Sequence, residues 1–250
     1  MDTYARTMFG GGTAADSGGW KAEELMWRRG LRMIADIATC RSSISEELAN
    51  TVTHGIGLVV AIGAMVVLVV LAAIFGGVWH IVGCSIYGGT LVFLYAASTL
   101  YHIVRRPATK SILKTLDHSA IFLLIAGTYT PFTLVNLRGV WGWSLLGVIW
   151  VLALAGIIWE GALRRRSAAG SLVLYVAMGW VALVAVKPII SAVATHGVLL
   201  ILAGGVAYTA GIAFYVWRRI PYHHAIWHLF VILGSTFHYF AVLLYVVPLA

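Results

Sequence analysis

The sequence predicts an all-α integral membrane protein: a bundle of seven transmembrane helices with a cytoplasmic N-terminus and the C-terminus outside. Of its 250 residues, 61% are hydrophobic and 10% are charged, whereas a soluble domain carries about 25% charged residues. Seven apolar runs each approach the roughly 20 residues that cross a bilayer as a helix. The Lys and Arg residues are also divided unequally between the two sides that these runs would separate.

The apolar runs follow one another closely and leave no room for a second folded domain. We place them at about residues 55–75, 78–103, 116–135, 143–163, 171–189, 197–217 and 225–247. Ser43-x-x-Glu46 is a capping-box signature, which predicts that the first helix begins there before it becomes wholly apolar. The predicted membrane domain is therefore residues 43–250.

Residues 1–42 are predicted to form a cytoplasmic extension. The first nineteen are rich in Gly, Ala, Ser and Asp and predict a disordered tail. Between Trp20 and Ala38, apolar residues recur at helical spacing with three arginines among them, a pattern typical of a helix that lies on a membrane surface. The alternative is a poorly ordered basic tail, which a glycine in the middle of the pattern favours.

The distribution of basic residues predicts the orientation. With seven crossings, fifteen of the seventeen Lys and Arg residues lie on one side, and only Arg138 and Lys187 lie on the other. The positive-inside rule makes the richer side cytoplasmic. It also explains the net charge of +8, which in a soluble protein would suggest a nucleic-acid partner. We therefore predict contact with membrane lipids and no nucleic-acid partner.

Nearly all the ionisable residues in the predicted spans, with the polar residues beside them, gather near the ends that are predicted to be cytoplasmic, whereas His238 lies in the middle of the last span. They are Glu47, Asn50, His54, Ser98, His102, Asp117, Glu160, His224 and His228. An ionisable group inside a membrane costs roughly 2.5–3.5 kcal/mol, so several at one depth indicate that they compensate one another. The three polar residues of the first helix are spaced three and four apart and share one face.

His224 and His228 are four residues apart, so both side chains lie on one face of the last helix. Together with His102 they can supply three imidazole ligands to a zinc ion, and a catalytic zinc site leaves its fourth position to water. Asp117 is the nearest carboxylate in the predicted topology and can hold that water as a base or hydrogen-bond acceptor. Ser98, one turn before His102, can donate to the water or to a substrate oxygen.

Each of these residues also has a structural explanation. A pair of histidines four residues apart is commonly a surface or packing feature. Ser98 can donate to a carbonyl one turn back, and Asp117 can cap a helix. The shared depth of the whole set favours a metal or proton site over these separate roles. A network of hydrogen bonds between helices is the remaining alternative.

These motifs, in this order, resemble those of the hemolysin III family of bacterial membrane proteins, which is related to the progestin and adipoQ receptors and to the alkaline ceramidases. They are Glu47-x-x-Asn50-x-x-x-His54-Gly55, Ser98-x-x-x-His102, Leu116-Asp117-x-Ser119 with Gly127-x-x-x-Pro131, and His224-x-x-x-His228. The resemblance covers about residues 45–247. It implies a seven-helix bundle in the bacterial inner membrane, with an intramembrane zinc ion.

The resemblance also implies roles for the matching residues. The zinc ligands would be His102, His224 and His228, Asp117 would contact the water on the metal, and Ser98 would lie beside it. The ceramidase branch implies hydrolysis of a lipid amide or ester, the family name implies cytolysis, and the receptor branch implies ligand sensing. We therefore expect a zinc-dependent lipid hydrolase. The alternative is a non-enzymatic pore-forming or regulatory protein whose zinc is structural.

Overall fold

The fold is a succession of α-helices joined by short connections. The computed structural model describes residues 19–162 and 168–248, and no strand occurs in those two stretches. The helices are α1 Gly19–Phe75, α2 Val78–Ile103, α3 Pro107–Leu134, α4 Val140–Ala162, α5 Ala168–Trp180, α6 Val186–Ala192, α7 Thr195–Val216 and α8 His223–Tyr245, with a 3-10 helix Val181–Ala185 between α5 and α6. The predicted all-α class is confirmed.

The chain divides into two compact units, with the boundary between Ser45 and Glu46. The predicted disordered tail lies outside the described residues, apart from Gly19. The predicted surface helix at 20–38 is helical as part of α1, and its place on a membrane surface stays a prediction. The second unit contains α2 to α8 and the polar residues that the sequence singles out.

The predicted helix start at Ser43 is wrong. Within the described stretch, α1 is helical on both sides of Ser43-x-x-Glu46, because the preceding residues include no proline and carry apolar side chains at helical spacing. The Glu46 carboxylate instead accepts a hydrogen bond of 3.2 Å from the backbone N–H of Tyr222. Tyr222 directly precedes α8 and has a left-handed φ of 56°. Glu46 therefore supports the start of the last helix rather than the start of its own.

Six segments in the described part of the chain are long and apolar enough to cross a membrane. They are Ile44–Phe75, Val78–Ile103, Val140–Gly161, Ala169–Ala192, Thr195–Val216 and His223–Tyr245. The remaining predicted run lies in α3, which has 28 residues but is more polar. Thirteen residues of α3 are buried, and it packs between α2 and α4, so protein rather than lipid surrounds much of its surface. The seventh crossing and the orientation stay predictions.

Close packing of α2 against α3 places the polar ends of these two helices side by side. A Cβ atom on Gly83 of α2 would lie 2.9 Å from the Cα of Pro131, and one on Gly127 of α3 would collide with the side chain of Thr90. Small residues at such positions let two helix backbones approach closely. Because α2 ends where α3 begins, this contact brings the end of α2 next to Asp117.

The predicted run at 171–189 is interrupted, whereas the sequence predicted one continuous helix. The 3-10 helix Val181–Ala185 separates α5 from α6. Pro188 has no N–H to donate to the preceding turn, which weakens the α-helical hydrogen bonds there. The Tyr129 hydroxyl donates to two carbonyl oxygens in the last turn of α5, both at 2.9 Å, and accepts from the N–H of Ala182 at 3.0 Å. This side chain satisfies the backbone groups that the interruption exposes.

Candidate metal centre

Three histidines from two helices meet at one end of the bundle. His224 and His228 occupy successive turns on one face of α8, and His102 lies in the last turn of α2. One ring atom from each histidine lies within 4.8 Å of those from the other two. His102 and His228 are buried, and His224 is half-buried. The three side chains therefore form a cluster that can hold a metal ion.

Glu47 of α1 fixes the orientation of His102. Its Oε2 accepts a hydrogen bond of 2.7 Å from His102 Nδ1, so the ring carries its proton on Nδ1 and a lone pair on Nε2. That Nε2 atom is buried and has no hydrogen-bond partner among the described residues. The other carboxylate oxygen of Glu47 accepts from Lys110 Nζ at 3.1 Å. A carboxylate behind a histidine in this way is a common support for a metal ligand.

Thr53 of α1 fixes the orientation of His228 in a similar way. The Thr53 hydroxyl donates to the backbone carbonyl oxygens of Ala49 and Asn50, at 2.9 and 3.0 Å. Its oxygen is therefore left to accept from His228 Nδ1, which lies 3.1 Å away. This assignment leaves the lone pair of His228 on Nε2. Two of the three histidines thus present a ring nitrogen with a free lone pair.

His54 and Asn50 lie on the same face of α1, next to the cluster. The His54 ring stacks on His228 with a centroid distance of 3.5 Å and an interplanar angle of 12°, and it meets the edge of Tyr95 at 5.1 Å. Both His54 nitrogens and Asn50 Oδ1 are buried without a hydrogen-bond partner in the part of the chain that the structure describes. The polar stripe predicted on the first helix therefore lies against the histidines, with Glu47 at one end and His54 at the other.

Asp117 and Ser98 lie beside the cluster at the junction of α2 and α3. Both side chains are buried, and Asp117 interacts electrostatically with His102. Ser98 is next to Asp117, but within the described residues its hydroxyl meets no partner with hydrogen-bond geometry. A carboxylate and a neighbouring hydroxyl therefore accompany the three imidazoles.

A cavity of about 450 Å³ extends from this group into the bundle. Its walls come mainly from α3, α5, α6, α7 and α8. Its polar lining near the cluster comprises His54, Ser98, Asp117, His118, His224 and His228. Farther along, the walls are mostly leucine, isoleucine and valine side chains. The size lies within the usual range of roughly 300–1,000 Å³ for ligand sites, and the apolar walls suit a hydrocarbon chain.

Glu160 is not one of the residues in the histidine cluster, although the sequence placed it at the same depth. It is 1% exposed, and its Oε1 accepts a hydrogen bond from the Ser171 hydroxyl. Its Oε2 lies 3.6 Å from His118 Nδ1. Glu160 therefore belongs to a second polar group, which joins α3, α4 and α5.

Two residues that support the cluster were missed by the sequence analysis. Thr53 lies three residues after Asn50, and that helical spacing was a signal that the two side chains are neighbours on the helix surface. The second residue is Lys110, which the sequence analysis used only in the count of basic residues on the predicted cytoplasmic side. Its contact with Glu47 could have been anticipated, because a carboxylate in a predicted membrane segment favours a nearby cation.

Comparison with known proteins identifies the family. A family model described as Haemolysin-III related matches residues 42–239. The chain belongs to the hemolysin III family. The resemblance drawn from the motifs is confirmed, and the first 41 residues lie outside the matched region.

Curated relatives of this hemolysin III family chain include bacterial and animal proteins. Hemolysin-3 of Bacillus cereus is 46% identical over 207 residues, which are 83% of this chain and 94% of that protein. The Hemolysin-3 homolog of Bacillus subtilis (strain 168) is 46% identical over 205 residues, 82% of this chain and 96% of that protein. The human monocyte to macrophage differentiation factor is 30% identical over 205 residues, 79% and 83% of the two chains.

Family membership and the apolar helices together establish the general location. The chain is a multi-pass integral membrane protein. The inner membrane predicted from the sequence is consistent with its bacterial hemolysin III relatives.

Proposed function

We propose that His102, His224 and His228 bind a zinc ion, and that the site hydrolyses an amide or ester bond of a membrane lipid. The observation that carries this proposal is the buried Nε2 of His102, which has no partner among the described residues and belongs to a cluster with two further imidazoles. Buried polar atoms are nearly always paired, so such an atom requires an explanation. A bound metal ion supplies one.

The chemistry of the cluster favours zinc among the common metals. Neutral imidazole nitrogens are good zinc ligands, and three of them leave one tetrahedral position for water or substrate. Hydrogen bonds from His102 to Glu47 and from His228 to Thr53 orient two of the rings. Bound there, zinc would supply Lewis acidity toward a carbonyl oxygen and toward water.

Asp117 and Ser98 are the proposed catalytic residues. Asp117 is buried beside the cluster and lines the cavity, where it can accept a proton from the attacking water. The Ser98 hydroxyl lies next to Asp117, meets no partner with hydrogen-bond geometry among the described residues, and can donate to the carbonyl oxygen of the substrate. These two groups provide a proton acceptor and a hydrogen-bond donor on the same side of the cavity.

The walls of the cavity support a lipid as the substrate. An amide or ester group would lie at the polar end, and its acyl chain would lie along the aliphatic walls. Leu183 and Ile190 line the cavity and are nevertheless 58% and 62% exposed. Their exposure supports an opening of the cavity onto the apolar surface of the 3-10 helix and α6, which would give a lipid chain a route of entry.

The substitution Asp117→Asn tests this mechanism. It removes the proton acceptor with little change of shape, and we expect fatty-acid release from N-acyl and ester lipids to fall at least ~100-fold, as is typical for loss of a general base. Zinc content and melting temperature should stay at wild-type values. Glu46→Gln is the matched control, because Glu46 contacts Tyr222 outside the cluster. Wild-type turnover by Asp117→Asn would refute the mechanism.

A second candidate is a cytolytic membrane protein in which zinc is structural. It is favoured by the name of the Bacillus cereus relative, Hemolysin-3. This candidate predicts that zinc removal unfolds the bundle and that lipid turnover is absent while vesicle leakage is present. A zinc-free protein that stays folded and loses only lipid turnover would support the hydrolase instead.

A further inference from the structure

The cavity is also lined by a histidine that lies far from the histidine cluster. This residue is His238 of α8. It comes ten residues after His228, which corresponds to about 15 Å along the helix axis. It is 9% exposed, and it is one of the few residues with an imidazole in a cavity whose lining is largely apolar. No residue of the proposed hydrolytic site contacts it in the described structure.

The protonation of the His238 ring follows from its hydrogen bond. Nδ1 lies 2.9 Å from the backbone carbonyl oxygen of Gly234, and a carbonyl can only accept. Nδ1 therefore carries the proton, and Nε2 carries a lone pair. Within the described residues, Nε2 has no hydrogen-bond partner.

Neighbouring side chains hold the ring in place without using its free nitrogen. Tyr208 stacks on it with a centroid distance of 5.5 Å, and the Tyr208 hydroxyl is already paired with Ser235 Oγ at 2.8 Å. Gly204 of α7 leaves room for the ring, since a Cβ atom there would collide with Nδ1 and Cε1. Nδ1 and Cε1 thus lie against α7, and Nε2 is the ring nitrogen that no side chain or backbone group of the described residues engages.

We propose that His238 Nε2 accepts a hydrogen bond from a hydroxyl group carried part-way along the hydrocarbon chain of the ligand, so that the cavity selects hydroxylated acyl chains. A buried acceptor in an apolar wall discriminates strongly, because a ligand without the donor leaves it unpaired. The proposal rests on the proposed function in one respect only: the cavity must hold a lipid chain. It does not require that the lipid be hydrolysed.

Oleate and ricinoleate provide the test, since they differ only in a hydroxyl group past the middle of the chain. Each fatty acid would be titrated into the purified full-length protein in lipid nanodiscs. For the wild type we expect ricinoleate to bind about tenfold more tightly, the ratio that corresponds to roughly 1.4 kcal/mol. His238→Phe keeps an aromatic ring but lacks the acceptor, and it should bind both fatty acids equally, with oleate affinity unchanged.

Further variants guard against a general effect on folding. His238→Gln retains an acceptor and should restore part of the preference, whereas His196→Phe, at an exposed position of α7, should keep the full preference. Equal binding of both fatty acids by the wild type would overturn the role of His238 and leave the lipid cavity standing. A preference that persists in His238→Phe would overturn it as well. Failure of the wild type to bind either fatty acid would reject the lipid cavity itself.

Discussion

Glu47 connects the histidine cluster to Lys110 in the first turn of α3. One carboxylate oxygen holds His102 and the other holds Lys110, so the acidic group is paired on both sides. A charged group inside a membrane segment is costly unless it is paired in this way. The same hydrogen bond orients the His102 imidazole. Glu47 therefore contributes both to the stability of the fold and to the proposed metal binding.

The substitution Glu47→Gln should weaken zinc binding by about 10-fold to 100-fold, the usual effect of losing the carboxylate behind a metal-bound histidine. The side chain keeps its length but no longer offers a charged acceptor to His102. Competition with a chelator would measure the affinity. Glu46→Gln, one residue away, should bind zinc as the wild type does, because Glu46 contacts Tyr222 instead. Equal zinc affinities for the two variants would contradict the assigned role of Glu47.

Thr53→Val should reduce zinc affinity by a smaller factor, about 10-fold at most. Valine has nearly the same shape as threonine but cannot accept a hydrogen bond from His228 Nδ1, so the ring loses its preferred orientation. Thr51→Val is the control, since the Thr51 hydroxyl donates to the Glu47 backbone carbonyl and touches no histidine. If the two valine variants bind zinc equally well, Thr53 has no role in orienting the ring.

Among the helices, the interrupted segment between α5 and α6 has the most distinctive structure. One hydroxyl group, that of Tyr129 on α3, serves three backbone groups at the interruption. Without it these groups would be left unpaired beside the cavity. The interruption also provides exposed cavity-lining residues such as Leu183, so its geometry bears on how lipid enters.

Tyr129→Phe should lower the free energy of unfolding by about 1–3 kcal/mol, because it removes the partner of the Met178 carbonyl, which is buried, and of the Ala182 N–H, which is partly buried. Tyr239→Phe serves as the comparison, since the Tyr239 hydroxyl makes a single hydrogen bond of 3.2 Å to the Ala64 carbonyl. Unfolding in detergent, followed by circular dichroism, would rank the two variants. A Tyr129→Phe protein as stable as Tyr239→Phe would show that the hydroxyl does not support the interruption.

At the scale of the whole molecule, the number of helices that cross the membrane determines on which side each terminus lies. Seven crossings place the N-terminus in the cytoplasm and the C-terminus outside, whereas six would place both on one side. The difference depends on α3, whose polar composition is explained by its buried position between α2 and α4. The excess of basic residues on one side favours seven.

Reporter fusions at each terminus would test the orientation. We expect a cytoplasmic reporter to be active at the N-terminus and an external reporter to be active at the C-terminus. As a control, single cysteines introduced beside Arg106 and Arg138 should be labelled from opposite sides of the membrane. Finding both termini on the same side would contradict the seven-helix topology.

The sequence predicted those features that depend on spacing along one helix or on charge at helix ends. His224 and His228 share a face of α8 because they are four residues apart. The basic loops indicated that the start of α8 and the end of α2 lie on the same side of the membrane, and His102 does lie next to the two histidines of α8. The position of the Glu47 stripe followed from the same periodicity. These arguments need no knowledge of packing.

Other features depend on contacts between distant segments and could not be read in this way. Pro188 indicated a weak point in the run at 171–189, but the position of the interruption at Val181–Ala185 depends on Tyr129, which stabilises it from another helix. The free nitrogen of His238 depends on the backbone of Gly234 and on the size of Gly204. The start at Ser43 was wrong because a local capping pattern does not interrupt a helix whose neighbouring residues also favour it.

The metal content of the purified protein tests the central claim most directly. It would be measured for the wild type, for His102→Ala, His224→Ala and His228→Ala, and for His80→Ala as a control outside the cluster. We predict about one zinc ion per chain in the wild type and in His80→Ala, and its loss in the other three variants while the helices stay folded. A well-folded wild type that binds no zinc would contradict the metal site, and the histidines would then form a hydrogen-bond network between helices.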